Sequence, residues 1–383
     1  MPTRTFIFAG GGTGGHLFPG VAIARELERL FAADNAVCRS LFVCSDRPLD
    51  ARILEAERVE FIALGARPFG IRPAALVRFL RSWGRSVRES RVLIRSEIER
   101  AGERAAVRVV AMGGFVAAPV VQAARVERVG VTLVNLDAIP GKANRLIARR
   151  ADPIFTAARL VHPLPNWTEV PPIVRAGACA AGSKTACRAR LGLDPDRSTL
   201  LVTGGSQGAQ SINRLMLALI EQHPALLAGT TRSGEVRWQV LHQCGNDGER
   251  DLAAAYDRAG IRAIVRPLVA EMGDWWGAAD LCVSRCGAGS VGEAWANRVP
   301  TVLLPYPYHR DQHQKHNAAP LVQAGAARLV EDQIDPRATL PAFERAIGPL
   351  LSGTVELAAM TERTASLGPA DGATRIAAAL WHA

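Results

Sequence analysis

The chain has no apolar run of the ~20 residues that a membrane-spanning helix needs. Its longest candidate, Val109 to Ala124, is broken by Gly113, Gly114 and Pro119. A secretory signal is also missing: Thr5 to Ala9 is a short strand-like run that enters glycines, with no cleavable apolar segment. The expectation is a chain that folds in the cytoplasm. The seven cysteines, at 38, 44, 179, 187, 244, 282 and 286, include no Cys-x-x-Cys pair, and their number is odd. That excludes a regular disulfide framework, argues against zinc, and leaves reduced thiols in or near cores. No Gly-Lys-Ser/Thr follows a glycine turn, so there is no P-loop. No metal-ligand cluster stands out, and Asp194-Pro-Asp196 reads as a polar turn before a strand.

What is present is an ordinary globular composition, 48% hydrophobic and 21% charged, over 383 residues. At roughly 100–200 residues per domain, two domains are expected. The net charge of +10 is uneven. Residues 1–165 hold 25 Lys+Arg against 15 Asp+Glu, and residues 166–383 hold 21 of each. Residues 67–108 alone carry 11 Arg against 4 Glu. A basic half and a balanced half imply different partners.

Short apolar runs alternate with helical patterns, the signature of α/β units on parallel sheets. In the first half, strands are expected at 5–9, 40–44, 107–112 and 131–135, with a helix over 19–30. Prolines 163, 165, 171 and 172 and Gly177 mark a linker. The alternation then restarts, with strands at 199–203, 238–242, 281–284 and 301–304 and helices over 210–222, 291–297 and 312–324. The tail is helical. The expected division is 1–165, 166–365 and a terminal helix, 366–383, packing back on the first domain.

Glycine-rich turns join several of these strands to helices. The first is Gly10-Gly-Gly-Thr-Gly-Gly-His16. Glycines let backbone N–H groups approach an oxyanion, and the helix start adds its dipole. Formally this matches a dinucleotide fingerprint, with Asp46 as a ribose-binding acid. An NAD-dependent oxidoreductase is therefore one reading, and a tight turn without ligand is another. The second turn is Gly204-Gly-Ser-Gln-Gly-Ala209, for which a hydride-transfer enzyme has no evident use. A third segment, Ser284 to Glu293, places Glu293 in the first helical turn, where it either accepts from ribose hydroxyls or caps the helix dipole. In Asp311-Gln-His-Gln-Lys-His-Asn317, Gln314 and Asn317 share a helix face suited to sugar hydroxyls, or else the helix start is merely solvated.

Gly-Thr-Gly-Gly-His-x-x-Pro (12–19), Met-Gly-Gly-Phe (112–115), Gly-Gly-Ser-Gln-Gly-Ala (204–209), Ser-Arg-x-Gly-Ala…Glu (284–293) and Asp-x-His-Gln-x-x-Asn-Ala (311–318) occur in order over nearly the whole chain. As a set they resemble the MurG group of glycosyltransferase family 28. The resemblance implies an α/β, GT-B architecture of two Rossmann-like parallel-sheet domains facing across a cleft. It implies inverting transfer of N-acetylglucosamine from UDP-N-acetylglucosamine to the 4-hydroxyl of undecaprenyl-diphosphate-linked N-acetylmuramoyl-pentapeptide, without cofactor. A related enzyme with another lipid or glycan acceptor is the alternative. On this resemblance the second domain holds the donor. Ser206 and Gln207 contact its diphosphate, Val269 offers backbone to uracil, and Arg175 lies near the nucleotide. Ala288, Gly289, Ser290, Val291, Gly292 and Glu293 line diphosphate and ribose. Gln314 and Asn317 read the sugar. Thr13, Gly14 and Gly15 border the donor sugar and the acceptor diphosphate, with Asp137 also on the donor side. Gly11, Gly12, Gly113, Gly114 and Asn135 are expected at the acceptor.

Inverting transfer needs a general base and a stabilised leaving group. His16 is the candidate base, since it follows the first turn and titrates near neutrality; its other reading is a helix-start histidine that positions a phosphate. One segment departs from the family, which usually carries His-Glu-Gln-Asn where this chain has Val134-Asn135-Leu136-Asp137. Asparagine cannot act as a base, so His16 gains weight unless Asp137 has taken a charged role.

Leu76, Leu80, Trp83, Val87 and Ile94 fall on one helical face, opposite Arg78, Arg81, Arg85, Arg88 and Arg95. This helix either packs on its sheet with solvated arginines or meets the anionic cytoplasmic leaflet of the membrane. Nucleic acid is not expected, because no aromatic platform or binding motif accompanies the charge.

Overall fold

The computed structural model describes residues 3–12, 14–70, 72–205, 208–229, 238–246, 248–269, 271–308 and 311–382. It divides into two compact units, Met1–Arg175 with Asp371–Ala383, and Ala176–Ala370.

The first unit is built on a seven-stranded parallel sheet. Its strands are β1 (Thr3–Ala9), β2 (Val37–Ser45), β3 (Glu60–Leu64), β4 (Val107–Ala111), β5 (Gly130–Asn135), β6 (Ile154–Thr156) and β7 (Trp167–Glu169), in the order β3-β2-β1-β4-β5-β6-β7. Central strands of a sheet covered on both faces read as continuous apolar runs, and Phe6, Ile7, Phe8 and Ala9 of β1 are all buried. Phe6 meets Phe31 of the Gly14–Ala33 helix edge-on, and Phe8 stacks on Phe42. Ile7 and Ala9 join the core with Val116 and Val120 of the Gly114–Glu127 helix. The terminal helix, Gly372–Trp381, belongs to this unit. Trp381 packs edge-on against Phe31 with ring centroids 4.3 Å apart, and Arg4 Nη1 donates to the Trp381 carbonyl.

The second unit repeats the plan with six parallel strands: β8 (Ser198–Thr203), β9 (Trp238–Gln243), β10 (Ala263–Arg266), β11 (Leu281–Ser284), β12 (Thr301–Leu303) and β13 (Ala327–Leu329). Their order, β10-β9-β8-β11-β12-β13, is that of the dinucleotide-binding fold, a mononucleotide-binding half repeated twice. In both sheets the order reverses beside the strand that precedes a glycine turn, β1 and β8. Ligands of open α/β sheets bind at that point, beyond the strands' C-terminal ends.

Several expectations shift. The helix expected from Pro19 begins at Gly14, with Pro19 inside it; proline forgoes only one ladder bond near a helix start. The helix expected over 291–297 spans Ala288–Ala296, so Glu293 lies in the second turn, not the first. The helix expected over 312–324 is two, His313–Asn317 and Ala319–Gln323, because Pro320 has no N–H to continue the ladder. The proline-rich stretch expected as linker contains β7, which pairs with β6.

The Pro73–Ala101 helix also differs from its pattern. Ile94 is buried and Leu76, Trp83 and Val87 are half-buried, but Leu80 is 59% exposed. Ser86, Ser90 and Glu97 supply much of the packed side instead. Phe79 contacts both Phe69 and Trp83, forming an aromatic group at the helix start that the spacing did not reveal.

Candidate functional site

In the first unit the glycine turn after β1 is pressed onto its neighbours. A Cβ on Gly10 would lie 2.8 Å from Met112 Cβ, and one on Gly11 would lie 2.5 Å from Asp50 Oδ2. Asp50 is fully buried at the start of the Pro48–Ala56 helix. Its Oδ2 accepts the Gly12 N–H at 2.7 Å, the Ser45 N–H at 3.0 Å and the Ser45 hydroxyl at 2.6 Å. Arg47 Nη1 donates to the Gly12 carbonyl at 2.9 Å. This turn is thus held from below by a carboxylate that sequence reasoning missed; its partners lie up to 38 positions away.

Gly113 and Gly114 both have positive φ, 101° and 76°. A Cβ on Gly114 would touch the Gly11 carbonyl at 3.3 Å and His16 Cε1 at 3.7 Å. The Met-Gly-Gly-Phe motif therefore closes over the first turn and His16. Burial pushes the His16 imidazole below its ordinary value, and the carboxylates of Asp137 and Asp50 pull it part-way back. Gly11, Gly12, Gly113, Gly114, His16 and Asp137 are thereby brought together. Asn135 is buried, and its amide is used inside the protein. It donates to the Asp137 carbonyl at 2.7 Å and to Thr156 Oγ1 at 3.0 Å, and it accepts from Asn144 at 2.9 Å. Its contribution is to shape the turn that carries Asp137. Gly14 and Gly15 open the helix, and Thr13 lies outside the described residues.

Arg175, expected near the nucleotide, sits in the first unit. It pairs with Glu57 at 2.7 Å and lies over the Phe18 ring at 4.4 Å. Asp46, the ribose acid of the oxidoreductase reading, makes two bonds to Arg67, 2.7 and 2.8 Å long. That guanidinium holds the Asp46 carboxyl below its usual range.

In the second unit, three segments meet at the C-terminal ends of β8, β11 and β12. A Cβ on Gly204 would lie 2.2 Å from the Ala209 nitrogen, so no other residue fits that turn. Gly205, with φ 80°, faces Ser290 Oγ in the first turn of the Ala288–Ala296 helix. Ser206 and Gln207 lie outside the described residues. Ala288, Gly289 and Ser290 are half-buried, and Val291 and Gly292 are buried. Glu293 Oε2 accepts the indole N–H of the buried Trp276 at 2.8 Å. Asn317 donates to the Cys286 carbonyl at 3.3 Å, and Gln314 accepts the Tyr306 N–H at 2.9 Å. Val269 is half-buried just after β10. Arg285, buried in the Ser-Arg motif, pairs with Asp332 at 2.8 Å, and Ser211 donates to that same carboxylate at 2.6 Å. Asp194 Oδ1 accepts the Asp196 N–H at 3.0 Å, a local turn.

Residues 6–156 match the glycosyltransferase family 28 N-terminal domain, and residues 199–376 match its C-terminal domain. The chain belongs to glycosyltransferase family 28. Curated relatives within the family carry the name UDP-N-acetylglucosamine–N-acetylmuramyl-(pentapeptide) pyrophosphoryl-undecaprenol N-acetylglucosamine transferase. That of Leifsonia xyli subsp. xyli is 35% identical, with 97% of each chain covered. That of Clavibacter michiganensis subsp. michiganensis is 36% identical over 97% of this chain and 94% of its own. The fold is similar to that of Acinetobacter baumannii MurG, with a TM-score of 0.67 at 22% identity, covering 99% of this chain and 100% of the other. Among the described residues no helix is long and apolar enough to cross a membrane.

Proposed function

We propose that this family 28 chain transfers N-acetylglucosamine from UDP-N-acetylglucosamine to an N-acetylmuramoyl-pentapeptide carried on undecaprenyl diphosphate. The observation that carries the reading is the first-unit cluster, where a histidine kept neutral by burial stands under two glycine turns with Asp137 and Asp50 acting on it. The sugar 4-hydroxyl attacks the anomeric carbon, the bond to the UDP oxygen breaks, and His16 takes the hydroxyl proton. Leaving-group charge falls on backbone N–H groups of the second glycine turn and the start of the helix after it. Glu293 accepts from the ribose hydroxyls, and Gln314 and Asn317 read the sugar.

The first unit meets the cytoplasmic face of the membrane through the Pro73–Ala101 helix. Phe69, 63% exposed, and Leu80 are exposed on the same segment that carries the exposed Arg78, Arg81, Arg85 and Arg88. Nearby, Trp83, Val87, Ala118, Val121 and Leu146 line a cavity of about 410 Å³. Apolar side chains beside cations suit an anionic lipid surface.

Labelled N-acetylglucosamine offered with the lipid-linked muramoyl-pentapeptide tests the reading. Product of one-to-one transfer with release of UDP is expected. Binding of UDP-N-acetylglucosamine with no transfer to this acceptor, but transfer to another lipid or glycan, overturns the acceptor and keeps the donor.

A further inference from the structure

His242 and Gln243 are consecutive residues at the end of β9, so they project to opposite faces of the sheet. Both are buried. Each belongs to a hydrogen-bond chain that reaches the second glycine turn or the backbone packed against it. On one face, Thr203 Oγ1 donates to Gln243 Oε1 at 2.9 Å and accepts the Gly205 N–H at 3.1 Å. On the other, His242 Nδ1 lies 3.0 Å from the Tyr256 hydroxyl and His242 Nε2 lies 3.1 Å from Asn213 Oδ1. Asn213 Nδ2 then donates to the Cys244 carbonyl at 2.8 Å.

The directions in this second chain follow from the chemistry of its ends. A carbonyl only accepts, so the NH₂ of Asn213 faces Cys244 and its oxygen faces His242. His242 Nε2 must then carry the hydrogen, which leaves Nδ1 to accept from the Tyr256 hydroxyl. Only the neutral Nε2–H tautomer satisfies every member. Burial acts the same way, pushing His242 down to about 3 and the Tyr256 phenol up.

The chain ends where the turn is pressed against the Cys244–Gly245 backbone. Gly208 has φ 70°, and a Cβ there would lie 2.6 Å from the Cys244 carbonyl oxygen and 2.6 Å from Gly245 Cα. Where that carbonyl stands therefore decides how deeply Gly208 seats and where the Gly204-to-Ala209 turn stands. A turn set during folding has no ordering cost left at binding.

We propose that Tyr256, His242 and Asn213 are positioning residues for the donor, a one-way hydrogen-bond chain that holds the Cys244 carbonyl beneath Gly208 and so presets the second glycine turn. That the ligand of this turn is a nucleoside diphosphate rests on the function proposed above; that the chain holds the turn does not.

The test uses the full-length protein with Asn213→Leu, Tyr256→Phe and His242→Gln. Leucine keeps the branched shape of Asn213 and removes the bonds to His242 and Cys244; glutamine in place of His242 keeps a donor toward Asn213. Asn213→Leu is expected to raise the UDP Kd and the donor KM by about tenfold or more, with kcat changed less than about threefold. Amide exchange at 208–210 and 244–245 rises with it. His242→Gln stays within about threefold of wild type in both constants, and Tyr256→Phe falls between them. Nitrogen NMR of wild-type His242 shows the Nε2–H tautomer from about pH 5 to 9. A lower melting temperature with unchanged UDP affinity and unchanged exchange reduces the chain to a packing role and overturns the proposal. So does an Nδ1–H or charged imidazole, a readout that stands even where Asn213→Leu fails to fold. Should wild type bind neither UDP nor UDP-N-acetylglucosamine, the proposed function fails, and the exchange data alone decide the chain.

Discussion

Trp276 donates its indole N–H to Glu293 across 2.8 Å, from the Met272–Ala278 helix to the second turn of the Ala288–Ala296 helix. The bond fixes one carboxylate oxygen. A donor-binding role for Glu293 therefore depends on a side chain outside every motif of the sequence. Glu293→Ala is expected to weaken UDP and UDP-N-acetylglucosamine alike by at least about tenfold, since charge-assisted bonds contribute roughly 1.5–3 kcal/mol each. Trp276→Phe, which keeps the ring and drops the donor, should weaken both by about threefold to tenfold. Calorimetric titration checks both, and unchanged UDP affinity in folded Glu293→Ala removes Glu293 from the site.

His16 is assigned the proton. His16→Ala should lower kcat by roughly 10²–10⁴-fold with UDP affinity near wild type. Its pKa is depressed below 6.5, so the base is neutral and active above that value, and kcat declines on the acid side. Asp137 raises that pKa, so Asp137→Asn should carry the acid limb to lower pH. Near-normal kcat in His16→Ala would pass the role to Asp137.

The Arg285–Asp332 pair is buried on both sides and braces the third segment against Ser211 of the Gln210–Gln222 helix. Asp332→Ala strands a buried guanidinium and should cost ~3–5 kcal/mol of stability in chemical denaturation. Pairing it with Arg285→Met should recover much of that loss, because no charge is then left unpaired. An equal loss in the double variant would mean that the brace acts through packing.

The central strands and the glycine turns were legible because each is local: an apolar run with turn residues at its end. Val107, Trp238 and Leu281 start strands where their runs predict them. The edge strands β3, β7, β10 and β13 were missed, and so was β6 beside β7. They are three to five residues long, and their pairing comes from the neighbouring strand, not from their own pattern. The same limit applied to the site. His16 and Glu293 stand in recognisable motifs, whereas Asp50, Trp276 and Asp332 are brought to such motifs by the fold from 17 to 47 positions away. Leu80 was misjudged for the opposite reason: helical spacing shows which side chains share a face, not which face is covered.

The exposed face of the Pro73–Ala101 helix leads to a prediction about the membrane. All of the net positive charge lies in residues 1–165, and Arg78, Arg81, Arg85 and Arg88 stand exposed on this helix, as does Leu80. Glu89 already engages Arg85 at 2.6 Å, so that arginine offers less to a lipid surface than its neighbours. Replacing all four by Gln leaves the aromatic group of Phe69, Phe79 and Trp83 in place and removes only the charge. Binding to vesicles rich in anionic lipid should fall by about 5–30-fold and lose much of its salt dependence. Binding to neutral vesicles, which depends on the apolar side chains, should hardly change. Transfer to a water-soluble, short-chain acceptor should stay near wild type, because the four arginines lie outside the His16 cluster and the second-unit loops. Equal binding of variant and wild type to anionic vesicles would mean that these arginines are solvated and meet no membrane.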